Sequence, residues 1–353
     1  MNTVKKYRVL IVDDSSFMRK AIQEILEADE EIVIVGSAEN GSMCLDMIRE
    51  LRPDVITLDM DMPFMDGMTA IRHIMVEDPV SIVVLSSLYG KGSITFEALR
   101  LGVIDFVPKP SGAISEDIHT ADQALRDRIK LATSVNLENI RRVRMTEQRI
   151  LPHTDNRGAP PEHIIAVGTS ISGPNTFIRL LSSLSPGLPA AVVIVLDIDP
   201  KILPSFTEKF DEEVQWKVET VKDGIKLKQG TCYINPYNST IKIITDKDNE
   251  PCIQTCGTGK KPLNRLFSSA ADTFGQNCLG VLLSGIGDDG DEGFARIKEM
   301  NGMTLAQSVE TCVYPNLTDN VIKKNLVDQV VDEKQLATEI EKILFRSSKP
   351  QQG

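Results

Sequence analysis

The sequence predicts an α/β protein built from two doubly wound parallel sheets joined by a helical linker. Short apolar runs alternate with helix-patterned segments through the first third of the chain. The stretch LPHTDNRGAPP at 151–161, with three prolines and a glycine, then breaks the pattern, and a second alternation starts at His163. Strands covered on both faces read as continuous apolar runs. Repeated βα units imply a sheet whose ligand site lies at the carboxyl ends of its strands.

In the first unit, strands are expected at Arg8–Val12, Ile32–Gly36, Asp54–Leu58, Ile82–Leu85 and Ile104–Val107, with helical patterns such as Ser16–Ala28 and Ser42–Leu51 between them. From Ser115 to Ile150 the chain is charged and helix-prone. Arg141, Arg142, Arg144 and Arg149 make it locally basic, which reads as a solvated face or a docking surface. In the second unit, strands are expected at Ile164–Val167, Ala191–Leu196, Cys232–Asn235, Thr240–Thr245, Leu279–Ser284 and Met303–Gln307. Helices are expected at Gly173–Leu184, Lys261–Phe274, Asp291–Met300 and Glu333–Phe345. The resulting organisation is a first domain over 1–125, a helical and proline-rich linker over 126–161, a second domain over 162–347 and a disordered tail over 348–353.

Bulk properties narrow the function. A chain of 353 residues suits two domains, and 41% hydrophobic with 25% charged residues is ordinary for a globular protein. The net charge of −11 argues against a nucleic-acid partner, which wants a basic patch. Six cysteines are scattered, and Cys252 with Cys256 lacks a second ligand pair, so free buried thiols in a reducing compartment are expected rather than zinc. The first apolar run, Val9–Val12, is too short for a signal core, and no stretch approaches the ~20 apolar residues of a membrane span. The expected location is cytoplasmic and not membrane-embedded.

Charged residues sit at strand ends in the first unit. Asp13 and Asp14 follow the first expected strand, Asp59 the third and Lys109 the fifth, and these three strands are expected to be central neighbours. Clustered carboxylates call for a hard cation with oxygen ligands, and Mg²⁺ fits because it binds few carboxylates and keeps waters for a phosphate. An aspartate can act as nucleophile toward phosphorus, with Lys109 and the metal neutralising the transferred group.

This arrangement resembles the flavodoxin-like receiver domain of two-component response regulators. The likeness rests on the Asp13–Asp14 pair, DMDMPFMDG at 59–67 and the lysine of FVPKP. The resemblance implies phosphorylation on Asp59 by a histidine kinase of the chemotaxis type, and Mg²⁺ held by Asp13, Asp14, Asp59 and the Asp61 carbonyl. It further implies Ser86, Phe106 and Lys109 as switch residues and a cis Lys109–Pro110 bond.

The second unit carries two turns. IIAVGTSISGP at 164–174 places Ser170 between a strand and a helix, where it is either an N-cap or a nucleophile near backbone donors. SGIGDDGDEGF at 284–294 matches G-x-G-x-x-G through Gly285, Gly287 and Gly290. Asp288, Asp289 and Asp291 would repel a pyrophosphate there, so these acids read as a helix cap plus one member of a site. With the receiver pattern, both turns resemble the chemotaxis protein-glutamate methylesterases of the CheB type, whose effector domain is Rossmann-like. Further similar stretches are SSLYGKGS (86–93) and TLAQSVETCV (304–313), so the likeness reaches to about Phe345. It implies hydrolysis of glutamate methyl esters, and often deamidation of glutamines, on methyl-accepting chemoreceptors by a Ser-His-Asp triad. Ser170 matches its serine and Asp289 its aspartate.

The histidine does not match. Asp197 takes its place after AAVVIVL, and no histidine follows His163. Ile171, Ser172 and Ile286 also depart from the family pattern, as does PNLT at 315–318. A carboxylate with reference pKa ~3.9 is a poor proton acceptor near neutral pH. His163 begins its strand and should lie at the opposite edge of the sheet. Three readings follow: an esterase domain whose hydrolysis is weakened or silent and whose output is binding, which is favoured; an active methylesterase or deamidase; and a new metal site made of Asp197, Asp199, Asp288 and Asp289.

Overall fold

The computed structural model describes residues 6–86, 92–110, 117–140, 158–171 and 173–347. The four-arginine stretch, most of SSLYGKGS, His153, Ser172 and the 348–353 tail lie outside them. The chain divides into two compact units, Met1–Arg142 and Val143–Gly353.

The first unit alternates strand and helix: β1 Tyr7–Val12, α1 Ser16–Glu27, β2 Ile32–Ala38, α2 Gly41–Leu51, β3 Val55–Asp59, α3 Gly67–Glu77, β4 Ser81–Ser86, α4 Gly92–Leu101, β5 Asp105–Pro108 and α5 Asp117–Ala132. Side-chain caps start the first three helices, since Ser15, Asn40 and Asp66 accept from the N–H groups of Met18, Met43 and Thr69. The sheet is parallel in the order β2-β1-β3-β4-β5. Val9 to Val12 and Val55 to Leu58 are buried on both faces, which explains their unbroken apolar character. The strand order corrects one expectation. β5 is the edge strand and β4 separates it from β3, so the strands carrying Asp13, Asp59 and Lys109 are not all neighbours. The Lys109–Pro110 bond is also trans, the isomer that X–Pro bonds favour intrinsically.

The second unit begins with β6 His163–Gly168, α6 Gly173–Ser183, β7 Ala190–Leu196, α7 Leu203–Glu213, β8 Lys217–Thr220, β9 Ile225–Lys226, β10 Thr231–Pro236, β11 Ile241–Thr245 and β12 Pro251–Thr255. It continues with α8 Pro262–Phe274, β13 Cys278–Leu282, α9 Asp291–Glu299, β14 Met303–Gln307, α10 Asn316–Lys323, β15 Gln329–Val331 and α11 Leu336–Ser347. Seven strands form a parallel sheet in the order β15-β14-β13-β6-β7-β10-β8, while β11, β12 and β9 form a small antiparallel sheet. The expected strand at Thr240–Thr245 thus belongs outside the main sheet. Its outer edge is closed by α8, where Ser269 accepts from Ile243 N–H and Thr273 donates to the Ile243 carbonyl. The core between α8, α9 and the sheet is apolar, with Phe267 and Phe294 edge-to-face at 5.0 Å. All six cysteines are free, five of them buried and Cys256 half-buried. Among the described residues no helix is long and apolar enough to cross a membrane.

Candidate functional site

At the carboxyl end of the first sheet, Val12 pairs with Leu58, so Asp13 and Asp59 emerge side by side. Asp13 is fully buried, Asp59 is 5% exposed and Asp14 is exposed. Their donor oxygens all lie within 4.8 Å of one another. Lys109 answers this negative charge, with Nζ 2.7 Å from Asp13 Oδ2 and 2.9 Å from Asp59 Oδ2. It reaches across β4 because its N–H is anchored to the Ser86 carbonyl at 3.1 Å, leaving the flexible stem to span the intervening strand.

Electrostatics follow from this packing. Burial lifts the Asp59 carboxyl above its ordinary value, in spite of hydrogen bonds from Lys109 and the Met60 N–H. Burial also opposes the charge on Lys109, yet its bonds to Asp13 and Asp59 prevail and hold the ammonium above the usual lysine value. Gly67 lets α3 start against the strand end, since a Cβ there would sit 2.3 Å from the Asp59 carbonyl oxygen. Asp61 lies exposed two residues past β3, Ser86 closes β4, and Phe106 is buried opposite Val84 in β5. The three clustered carboxylates are an all-oxygen, anionic donor set, which fits a hard divalent cation.

In the second unit the strand order reverses at β6, with β13 on one side and β7 on the other, so the crevice opens at the carboxyl ends of these strands. The two turns singled out in the sequence meet there. Thr169 donates to the Ser284 carbonyl at 2.6 Å, and Ser170 Oγ accepts from Ile286 N–H at 2.6 Å and donates to the Ile286 carbonyl at 3.1 Å. Gly285 permits this approach, because a Cβ there would lie 2.6 Å from Ser170 Oγ.

Asp289 is 3% exposed. Its carboxylate accepts from the Leu263 and Asn264 N–H groups at 2.8 and 3.0 Å, the open first turn of α8, and from the Tyr237 hydroxyl at 3.2 Å. This refines the helix-cap expectation: Asp289 anchors α8, while α9 is capped by Gly290 with no side-chain hydrogen bond. The reason is Gly290 at φ 104, which turns the chain between Asp289 and α9. Burial raises the Asp289 carboxyl even with these donors present.

Asp197, half-buried, is the first residue after β7, and Gly168 of β6 pairs with Val195, so it shares the crevice with Ser170. The alternative metal cluster of Asp197, Asp199, Asp288 and Asp289 does not form. Among the described residues the one group of three or more such ligands is Asp13, Asp14 and Asp59. Asp289 points instead onto α8, and Asp199 accepts from the Lys201 N–H. His163 is buried at the amino edge of β6, roughly 20 Å of strand away from Ser170 at ~3.3 Å per residue. Tyr237 and Asn264 escaped the sequence reading. The Asn264 side-chain Oδ1 accepts from Gly290 and Gly293 N–H at 2.9 and 3.1 Å, tying α8 to the turn. Tyr237 directly follows β10, a strand-end position that could have flagged it.

Comparison with known proteins places these two units. The family model described as response regulator receiver domain matches residues 9–121, and that described as CheB methylesterase matches residues 165–340. A protein-glutamate methylesterase/protein-glutamine glutaminase of Methanosarcina mazei is 32% identical, covering 96% of each chain. That of Methanosarcina acetivorans is 33% identical, covering 96% of this chain and 99% of its own. The crystallised catalytic domain of the Thermotoga maritima CheB methylesterase is 24% identical, covering 52% of this chain and 98% of that domain at TM-score 0.48. Fold and site together define a response regulator, a receiver domain followed by an α/β effector domain. The chain belongs to the CheB family of chemotaxis methylesterases.

Proposed function

We propose that this chain is a chemotaxis response regulator phosphorylated on Asp59 by a histidine kinase, and that its methylesterase-fold domain engages methyl-accepting chemoreceptors with weakened or silent hydrolysis. For the receiver, the supporting observation is Lys109 bridging Asp13 and Asp59 beside the acidic cluster. An Asp59 oxygen attacks phosphorus as the bond to the donor group breaks, giving an acyl phosphate. Asp13, Asp14, Asp59 and the Asp61 carbonyl would hold Mg²⁺, which supplies charge neutralisation for the phosphoryl oxygens. Lys109 supplies the protein's own positive charge on the same oxygens. Ser86 would sense the phosphoryl group, and Phe106 would report that contact through β5.

For the effector domain, the observation that carries the reading is Ser170 Oγ held by Ile286 on a crevice to which the sequence brings Asp197 in place of an imidazole. Serine attack needs a base that takes the hydroxyl proton and returns it to the leaving group. A net charge of −11 supports protein rather than nucleic-acid partners, and the absence of a spanning helix among the described residues accords with a cytoplasmic site of action.

The test is methanol release from methylated chemoreceptor membranes by the full chain treated with a small phosphodonor, with Ser170→Ala as control. The expected release is no greater than the control's, from protein shown to carry phosphate on Asp59. Release that vanishes in the control would establish the second reading, an active methylesterase or glutamine deamidase.

A further inference from the structure

Tyr237 follows β10, and its N–H donates to the Leu196 carbonyl at 2.9 Å. That bond sets it against the end of β7, beside Asp197. Its phenol crosses to the turn after β13 and donates to Asp289 Oδ2. The other donors to that carboxylate are backbone N–H groups, those of Leu263 and Asn264 in α8 and that of Gly290. In a serine–base–acid relay, the acid must accept a hydrogen bond from the base, which in turn accepts the serine proton. Here, among the described residues, the one side-chain donor to Asp289 is a phenol. It cannot stand in for the base. Burial, followed by the charges of Asp289, Asp197 and Asp288, pushes its ionisation well above that of an ordinary tyrosine.

The geometry points to Tyr237 as a positioning residue that closes the relay: its phenol takes the Asp289 oxygen that an imidazole at position 197 would need. Loss of hydrolysis is therefore fixed by two residues on neighbouring strands, Asp197 and Tyr237, and restoring the first alone does not reverse it. This rests on the reading of the effector domain as weakened or silent.

The experiment compares the full chain with Asp197→His, with Asp197→His/Tyr237→Phe and with Asp197→His/Tyr237→Ala, the last for the case in which the ring itself crowds the imidazole. The readouts are p-nitrophenyl acetate hydrolysis and methanol release. The single variant is expected to stay at the parent rate. One or both double variants should rise of order 10²-fold, the range of a positioned general base. That gain should disappear with Ser170→Ala and show an acidic limb at the pKa of the introduced imidazole, raised by Asp289 above its reference value of ~6.5. Nuclear magnetic resonance titration of the introduced imidazole gives a second measure, since contact with Asp289 raises its pKa in the double variants relative to the single one. Equal rates and equal imidazole pKa in single and double variants overturn the inference, as do double variants no faster than their Ser170→Ala counterparts. Ser170-dependent release by the parent would instead overturn the weakened-hydrolysis reading, and it is read in a separate sample.

Discussion

Replacing Lys109 by methionine isolates the charge balance of the receiver domain, because methionine keeps most of the apolar stem and removes the ammonium. Asp13 and Asp59 are almost wholly buried, and the Lys109 side chain is 14% exposed, so water replaces little of the lost charge. Removing one partner from a buried ionic group costs about 3–5 kcal/mol. A loss of about 3 kcal/mol lowers the folding equilibrium on the order of 150-fold, at 1.36 kcal/mol per factor of ten. Amide hydrogen exchange of the full chain in metal-free buffer at pH 7 reads this locally, and protection in β1 and β3 should fall by about that factor. The pH dependence has a definite sign. Asp59 already titrates above its ordinary value through burial, and it rises further without Lys109. A carboxyl raised in the folded state is penalised as an ion above its folded pKa, and the penalty fades as pH falls through that value toward the unfolded ~3.9. The deficit of the variant should therefore shrink as pH falls from 7 toward that unfolded value, and shrink again on adding Mg²⁺. Unchanged protection at pH 7, or a deficit indifferent to both acid and metal, would refute the reasoning.

Three further outcomes are expected. Gly67→Ala places a Cβ 2.3 Å from the Asp59 carbonyl and 2.8 Å from Met60 Cα, so backbone must move; phosphorylation by a small phosphodonor, followed on phosphate-affinity gels, should fall sharply, with about 1–3 kcal/mol of lost stability. Gly285→Ala drives a Cβ into the Ser170 backbone N at 2.8 Å and should lower the melting of the second unit by a similar free energy, whereas easy accommodation would show that the two turns do not press together. Asp289→Asn presents an amide N–H₂ to at least one donor and should cost about 1–3 kcal/mol in denaturant titrations at pH 7. Because burial raises the Asp289 carboxyl, the parent should gain on this variant as pH falls through the folded value, and a difference that stays flat with pH would contradict that assignment.

The inner parallel strands were legible because their residues are buried on both faces, so β1, β3, β7 and β14 each appear as a near-continuous apolar run, whereas the short edge strands β8 and β15, buried on one side only, were missed. Asp13, Asp59, Ser170 and Asp197 were legible too, since each lies at or within two residues of a strand's carboxyl end, where the fold class places its chemistry. Helices α7 and α10 were missed, and prolines near their starts, Pro204 and Pro315, read equally well as loop punctuation.

The sequence by itself determined the α/β alternation, the strand-end acids and the missing histidine, because these depend on local periodicity and on residue identity. Only the tertiary structure decided that β4 separates β3 from β5, so that Lys109 must span it to reach Asp59. It also decided that Asp289 turns onto α8 and that Tyr237 meets it. Those pairings join segments 25 to 52 residues apart for Asp289, and such contacts are selected by burial and hydrogen-bond satisfaction across the folded crevice rather than by any local pattern in the chain.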